Sequence, residues 1–208
     1  MGTDLVESQT VALDVLLLGT LQSGKSSTGN MLLGSRDFRT GLSLGAVTRD
    51  CQLRRRVFPA FLRRHGDKAS LDLRVLDTPG YPNSLRSPGI EKQIVAEAVK
   101  QAFAGGPHIV ALVVRVDVPF CEDGHHLSHA MLVLSHAGNV DQAGVDREEY
   151  LRLATGPFHA LLTSLEHRHH FVENSSPWLQ MEGKPLLERL LLLSRRNQYR
   201  RLQLRVSE

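Results

Sequence analysis

Unbroken apolar runs alternate along this chain with stretches in which apolar residues recur every three or four positions. Val11 to Leu18 (VALDVLLL) is the first such run, interrupted only by Asp14, and reads as a buried strand with Asp14 at its edge or mouth. It leads directly into GTLQSGKSSTGNMLLG, which turns the strand into a helix ending near Gly34. AVTRDCQLRRRVF and SLDLRVLD are strand-like, and RRHGDK between them has the composition of a hairpin turn. IEKQIVAEAVKQAF places Ile90, Ile94 and Ala98 at helical spacing and stops at GGP. HIVALVVRV is continuous and rich in β-branched residues, as a central parallel strand requires, and AMLVLS is a second short strand of that kind. REEYLRLATGPFHALLTSLEH is helical with a break at Gly156 and Pro157; HHFVEN is a last strand, and KPLLERLLLLSRRNQYRRLQLRV a closing helix. Strands and helices alternating along the chain predict an α/β fold, a mostly parallel sheet covered by helices on both faces. Residues 1–10 read as a tail, 11–180 as the main domain and 181–208 as a basic amphipathic C-terminal helix packed on it or extending from it.

Composition narrows the reading. With 208 residues, 41% of them hydrophobic, the chain has the size of one domain with a full core. Aromatics are only 5%, so Leu, Val, Ile and Ala must fill the interior. A net charge of +3 is too small to argue for a nucleic-acid partner. Cys51 and Cys121 form neither a disulfide framework nor a zinc pattern, the N-terminus lacks a basic-then-apolar leader, and no window approaches the ~18 uncharged apolar residues of a membrane span. A cytoplasmic protein without a transmembrane segment is expected. Arg54 to Arg56, with Arg63 and Arg64, read as solvated charge protecting an edge strand. From Lys184 onward, Leu192, Tyr199, Leu202 and Val206 recur at helical spacing among basic residues, an arrangement able to touch a membrane surface or an acidic helix.

The chemistry sits in the first strand-to-helix turn. Gly19, Gly24, Lys25 and Ser26 satisfy GxxxxGK[ST] between a buried strand and a helix. Inward-pointing backbone N–H groups of such a loop, here including Gln22 and Ser23, cradle phosphates at the positive end of the helix. Lys25 is placed to reach the β- and γ-phosphates, Ser26 to ligate Mg²⁺, and Ser27 to donate to the α-phosphate. In LRVLDTPG, Asp77 ends a strand where a carboxylate meets the Mg²⁺ shell, and the Gly80 N–H can sense a γ-phosphate. Thr48, in GAVTRD, is the candidate for the hydroxyl that completes that shell. Each segment alone also suits an ordinary turn; their order and context favour nucleotide binding.

These residues resemble the immune-associated nucleotide-binding GTPases, also called GTPases of immunity-associated proteins (GIMAP). The likeness rests on LLLGTLQSGKSSTGNMLLG, AVTRDCQ, VLDTPGY and GGPHIVALVVRVDVPFCEDG, with HAMLVLSHAGNVD and FVENSS similar to the later base-binding segments. It implies a P-loop NTPase of the Ras-like G-domain type, binding of GTP or GDP with Mg²⁺, and nucleotide-dependent self-association as a homodimer or homo-oligomer. His136, Asn139 and Asn174 fall where base and sugar contacts are expected.

Three departures stand out. Asn139 occupies the position of an acid that accepts two hydrogen bonds from guanine; an amide has one acceptor oxygen, so base choice is weakened unless Asp141 substitutes. The segment between Val118 and Ala130 is barely long enough for a parallel crossover, which takes about a dozen residues including its helix. After Asp-Thr-Pro-Gly the chain has Tyr81 rather than a water-orienting Gln, so hydrolysis is expected to be slow or partner-stimulated. Two alternatives stay open: a degenerate G domain acting as a scaffold with weak nucleotide binding, and an ATP-dependent P-loop protein. His108, at a strand start, and the HRHH run at 167–170, which lacks acids or cysteines at ligand spacing, read as structural.

Overall fold

The structure, a computed structural model, describes residues 9–41, 48, 50–64, 67–80, 88–117 and 127–203. Six strands form one sheet: β1 (Thr10–Leu18), β2 (Gln52–Arg64), β3 (Asp67–Asp77), β4 (Ile109–Arg115), β5 (Ala130–Ser135) and β6 (His169–Val172). Their order is β2-β3-β1-β4-β5-β6. Only β2 runs antiparallel to its neighbour; β3, β1, β4, β5 and β6 are mutually parallel. The order reverses at β1, and a doubly wound sheet opens a crevice at the carboxyl ends of its strands at such a point.

The two faces of the sheet follow from side-chain alternation. Leu13, Val15 and Leu17 of β1 point into a cluster completed by Met31 to Leu33 of α1 (Lys25–Leu33) and by Leu186, Leu187, Leu190, Leu191 and Leu193 of α6 (Leu179–Arg196). Leu16, with Leu132 and Leu134 of β5, faces a second cluster. It is closed by Val99 of α2 (Pro88–Ala102), by Val140 of α3 (Gly138–Gln142) and by Leu161 and Leu162 of α5 (Gly156–Ser164). The short α4 (Arg147–Arg152) is capped by Asp146, whose side chain accepts from the Glu148 and Glu149 amides. The break between α4 and α5 falls at residues 153–155, before the Gly-Pro pair expected to make it; Gly156 and Pro157 instead open α5, where proline's missing N–H costs nothing.

The closing helix differs from the expected one. It begins at Leu179, before Lys184, and ends at Arg196; its apolar stripe is turned inward, and Leu192 stands half exposed outside it. Tyr199 lies beyond the helix at positive φ, and Leu202 folds onto the opposite face of the sheet, its N–H donating to the Pro107 carbonyl at 2.8 Å. The helical spacing of these residues in sequence therefore has no helical counterpart: a turn follows Arg196. Val206 lies outside the described residues, as do residues 65–66 of the hairpin turn and 118–126 of the crossover.

Asp14 is also not at the mouth. It is fully buried in mid-strand, on the face of Leu16. A buried carboxylate is tolerated only when compensated. Arg74 grips it with both forks at 2.6 and 2.7 Å, Arg201 adds a further bond, and His108 Nδ1 accepts from the Asp14 amide at 3.0 Å. His108 is thus structural, as its position predicts, and burial lowers its pKa.

Candidate functional site

At the carboxyl ends of β1 and β3 the chain turns sharply. Gly24 adopts φ 91°, a left-handed conformation that side chains resist, and starts α1; a Cβ there would lie 2.5 Å from Asn174 Nδ2. Gly80 lets the segment after β3 approach the loop: a Cβ would lie 2.4 Å from the Leu21 Cα. Around these two positions opens a cleft of about 450 Å³. Gln22 to Ser27, Thr48, Gly80, His136 and Asn174 line it.

Lys25, only 5% exposed, donates from Nζ to the Gly19 carbonyl at 3.1 Å and the Thr20 carbonyl at 2.7 Å. Desolvation lowers its pKa to about 8 against the opposing pull of Asp77. Gly19 itself lies behind the cleft wall and contributes this carbonyl. Ser26 Oγ donates to Asp77 Oδ2 at 2.6 Å, and Thr48 Oγ1 stands 3.0 Å from Ser26 Oγ and 3.5 Å from the same carboxylate oxygen. Asp77 is 1% exposed, and its Oδ1 is buried with no hydrogen-bond partner among the described residues. Burial raises its pKa, with Ser26 and Lys25 opposing.

One carboxylate and two hydroxyls converging on a point suit a hard cation that keeps water and phosphate oxygens in its shell, as Mg²⁺ does. No cluster of three or more His, Cys, Asp or Glu side chains occurs among the described residues. The orphaned Asp77 Oδ1 and the space held open by glycine at positions 24 and 80 fit a triphosphate with its ion. Ser26, Thr48 and Asp77 would hold the ion, and Lys25 with the loop amides the phosphates.

The other end of the cleft is assembled from separate strands. His136, at φ 59° just after β5, donates its N–H to Asn174 Oδ1 at 3.1 Å, and Asn174 Nδ2 donates to the Gly24 carbonyl at 3.2 Å. Ser135 Oγ donates to the Ser23 carbonyl at 2.7 Å. The loop after β1 is therefore tied to the ends of β5 and β6. Asn139 does not line the cleft; it is exposed on α3, and its Nδ2 donates to Asp117 Oδ2 at 3.0 Å. Asp141 points elsewhere, held by Arg147 at 2.7 and 3.0 Å.

Sequence reasoning passed over four contributors. Arg39, Arg115 and Ser175 line the cleft. Glu173 accepts from the Gly138 amide at 2.6 Å and from both the amide and hydroxyl of Ser175, at 2.9 and 2.6 Å, bracing the base end. Arg115 ends the most strongly apolar strand of the chain, a signal that could have been used, because the carboxyl ends of parallel strands carry ligand contacts.

The sheet order, the loop after β1 and the acid that ends β3 define a Ras-like P-loop G domain. Within that class the sequence model of the AIG1 family matches residues 13–197, and the chain belongs to this family. It is 30% identical over 122 residues to Immune-associated nucleotide-binding protein 3 of Arabidopsis thaliana; the match takes in 58% of this chain and 33% of that protein, so the chain corresponds to about a third of its relative's length. Among solved structures it is similar to Toc33 from Arabidopsis thaliana in complex with GDP and Mg²⁺, at a TM-score of 0.60 and 19% identity, covering 93% of this chain and 88% of that one. A structure concerned with the importance of dimerization for the GTPase activity of the chloroplast translocon components atToc33 and psToc159 aligns at a TM-score of 0.55 and 15% identity, over 88% of this chain and 84% of that one. At these identities the structural likeness bears on the fold.

Proposed function

We propose that this chain is a GIMAP-type guanine-nucleotide-binding protein that takes GTP or GDP with Mg²⁺ and works as a nucleotide-dependent switch or assembly unit. One observation carries the reading: Ser26, Thr48 and Asp77 meet within 3.5 Å beneath a glycine-shaped loop, beside a desolvated lysine. Lys25 exchanges the carbonyls of Gly19 and Thr20 for phosphate oxygens, and the amides of Gly24 to Ser27, at the start of α1, are the donors for the remaining phosphate charge, while the Ser23 amide is turned to the Thr20 carbonyl at 3.3 Å. The ion, when bound, neutralises charge on the β- and γ-phosphate oxygens.

Hydrolysis by the isolated chain is slow in this reading. Tyr81, outside the described residues, stands in place of a carboxamide, and a phenol does not orient water in the same way. The dimerization described for the translocon relatives supports a homodimer as the activated form. A cytoplasmic location is part of the same proposal. No described helix is long and apolar enough to cross a membrane.

Titrating nucleotide-stripped protein with labelled GTP and ATP, with and without Mg²⁺, tests the proposal. Saturable, Mg²⁺-enhanced binding with GTP preferred is expected. No saturable binding would sink the nucleotide reading and leave a scaffold; preference for ATP would sink the guanine reading. Single-turnover hydrolysis measured over a range of protein concentrations tests activation by self-association, which predicts a rate rising with concentration.

A further inference from the structure

Resting on that reading, we propose that Asp117 supplies the carboxylate that selects the base in this chain, with Asn139 as its positioning residue. A 2-amino-6-oxopurine presents two donors on one edge, the ring N1–H and the exocyclic amine, and needs two acceptors opposite them. Asn139, where an acid is expected, offers one acceptor oxygen. Its amide nitrogen is committed to Asp117 Oδ2 at 3.0 Å, so the carboxylate absent from position 139 stands one hydrogen bond away, on the turn that follows β4.

Asp117 is joined to the cleft through Arg115. Arg115 lines the cleft and holds Asp117 in a two-pronged grip, Nε to Oδ1 at 2.9 Å and Nη2 to Oδ2 at 2.6 Å. Two carboxylate oxygens carry about four acceptor sites; Arg115 uses two and Asn139 one. Arg115 turning its guanidinium toward a nucleotide in the cleft frees two sites, one on each oxygen, while the Asn139 bond holds the carboxylate in place. The Arg115 guanidinium holds the Asp117 carboxyl at a pKa of about 2, and a carboxylate released from that grip is still ionised at neutral pH.

The neighbouring acids are otherwise engaged. Asp141 is also gripped by an arginine, but Arg147 does not line the cleft, and both oxygens of Glu173 are bound by backbone amides of the loops they brace. The Asn174 amide is likewise committed on both sides, to His136 and to Gly24.

The test compares GTP, ITP, which lacks the exocyclic amine, and XTP, which carries a carbonyl in its place, on the full chain stripped of nucleotide. The wild-type chain should favour GTP over ITP. Asp117→Asn should lower GTP affinity about tenfold, the worth of one charge-assisted hydrogen bond, with ITP changing less and XTP gaining. Asn139→Ala, which leaves both the carboxylate and its Arg115 grip in place, should lower the ratio by a smaller factor and serves if Asp117→Asn folds poorly. An unchanged ratio in both single variants overturns the proposal, as does an equal loss of GTP and ITP, which would mark Asp117 as structural. A wild-type chain that binds GTP and ITP equally overturns it while leaving the nucleotide reading intact; a chain that binds no triphosphate overturns both.

Discussion

At the phosphate end of the cleft, residues 22 to 27 form one contiguous turn, while at the base end Arg115, His136, Asn174 and Ser175 arrive from the ends of three separate strands. The first end is local. Its glycine, lysine and serine stand at fixed offsets because each must contribute to one backbone bend, and only Thr48 and Asp77 come from elsewhere. The second end is held together by tertiary bonds, Asn174 to Gly24, Ser135 to Ser23 and Glu173 to Gly138. A contiguous loop tolerates little substitution within itself, whereas an assembled surface can exchange one contributor for another nearby.

Removing the cation of the local end should have the largest effect. Lys25→Ala is expected to weaken triphosphate binding by about 3 kcal/mol, roughly a hundredfold, because a desolvated charge-assisted contact is lost. Isothermal titration on folded protein checks this, and near-normal affinity would mean that the loop holds phosphate without its lysine. Gly24→Ala attacks the joint between the two ends. A left-handed backbone costs a side chain roughly 1–2 kcal/mol, and the new Cβ would displace the Asn174 amide; a stability loss of about 2 kcal/mol is expected in chemical denaturation.

Asn174→Ala removes the same tie from the opposite side. It leaves the His136 N–H without its partner and takes one of two donors from the Gly24 carbonyl, which keeps the Thr28 N–H at 2.8 Å, at about 1–2 kcal/mol. If base and phosphate ends were independent, this variant would bind inorganic tripolyphosphate as wild type does; coupling predicts a measurable loss.

The smallest effect concerns pH. β6, which leads to Glu173 and Asn174, carries His170, whose pKa burial lowers to about 4, with Arg189 and Arg147 adding to the shift. A histidine folded at about 4 and near 6.5 when unfolded contributes stability that is fully present above 6.5 and is lost as pH falls toward 4, because the unfolded chain binds the extra proton. His170 is partly exposed, so screening reduces this to about 1 kcal/mol, or 2–4 °C in Tm. His170→Gln should flatten the slope of Tm against pH between 6.5 and 4; an unchanged slope would place the acid sensitivity elsewhere.

The mostly parallel sheet was legible because the continuous apolar runs of β1, β4 and β5 read as buried strands and stretches of helical period recur along the rest of the chain. The phosphate loop was legible for the same local reason. Asp14 was not: a lone charge in an apolar run reads as a strand end until Arg74 and Arg201, far away in sequence, are seen to close on it. The closing helix misled because Leu192, Tyr199 and Leu202 share a helical spacing on paper, yet only Leu192 is in the helix, and it faces outward. Periodicity reports a face and not what that face meets.

By itself, then, the sequence determined the strand and helix content, the bend that cradles phosphate and the acid at the end of β3, since each depends on residues adjacent in the chain or on a burial pattern of fixed period. Tertiary structure alone decided that Asn174 ties β6 to the loop, that Asn139 turns away from the cleft, and that Arg115 and Asp117 stand beside it. These are hydrogen bonds between side chains whose partners are chosen by proximity in the folded sheet, and no spacing along the chain encodes them.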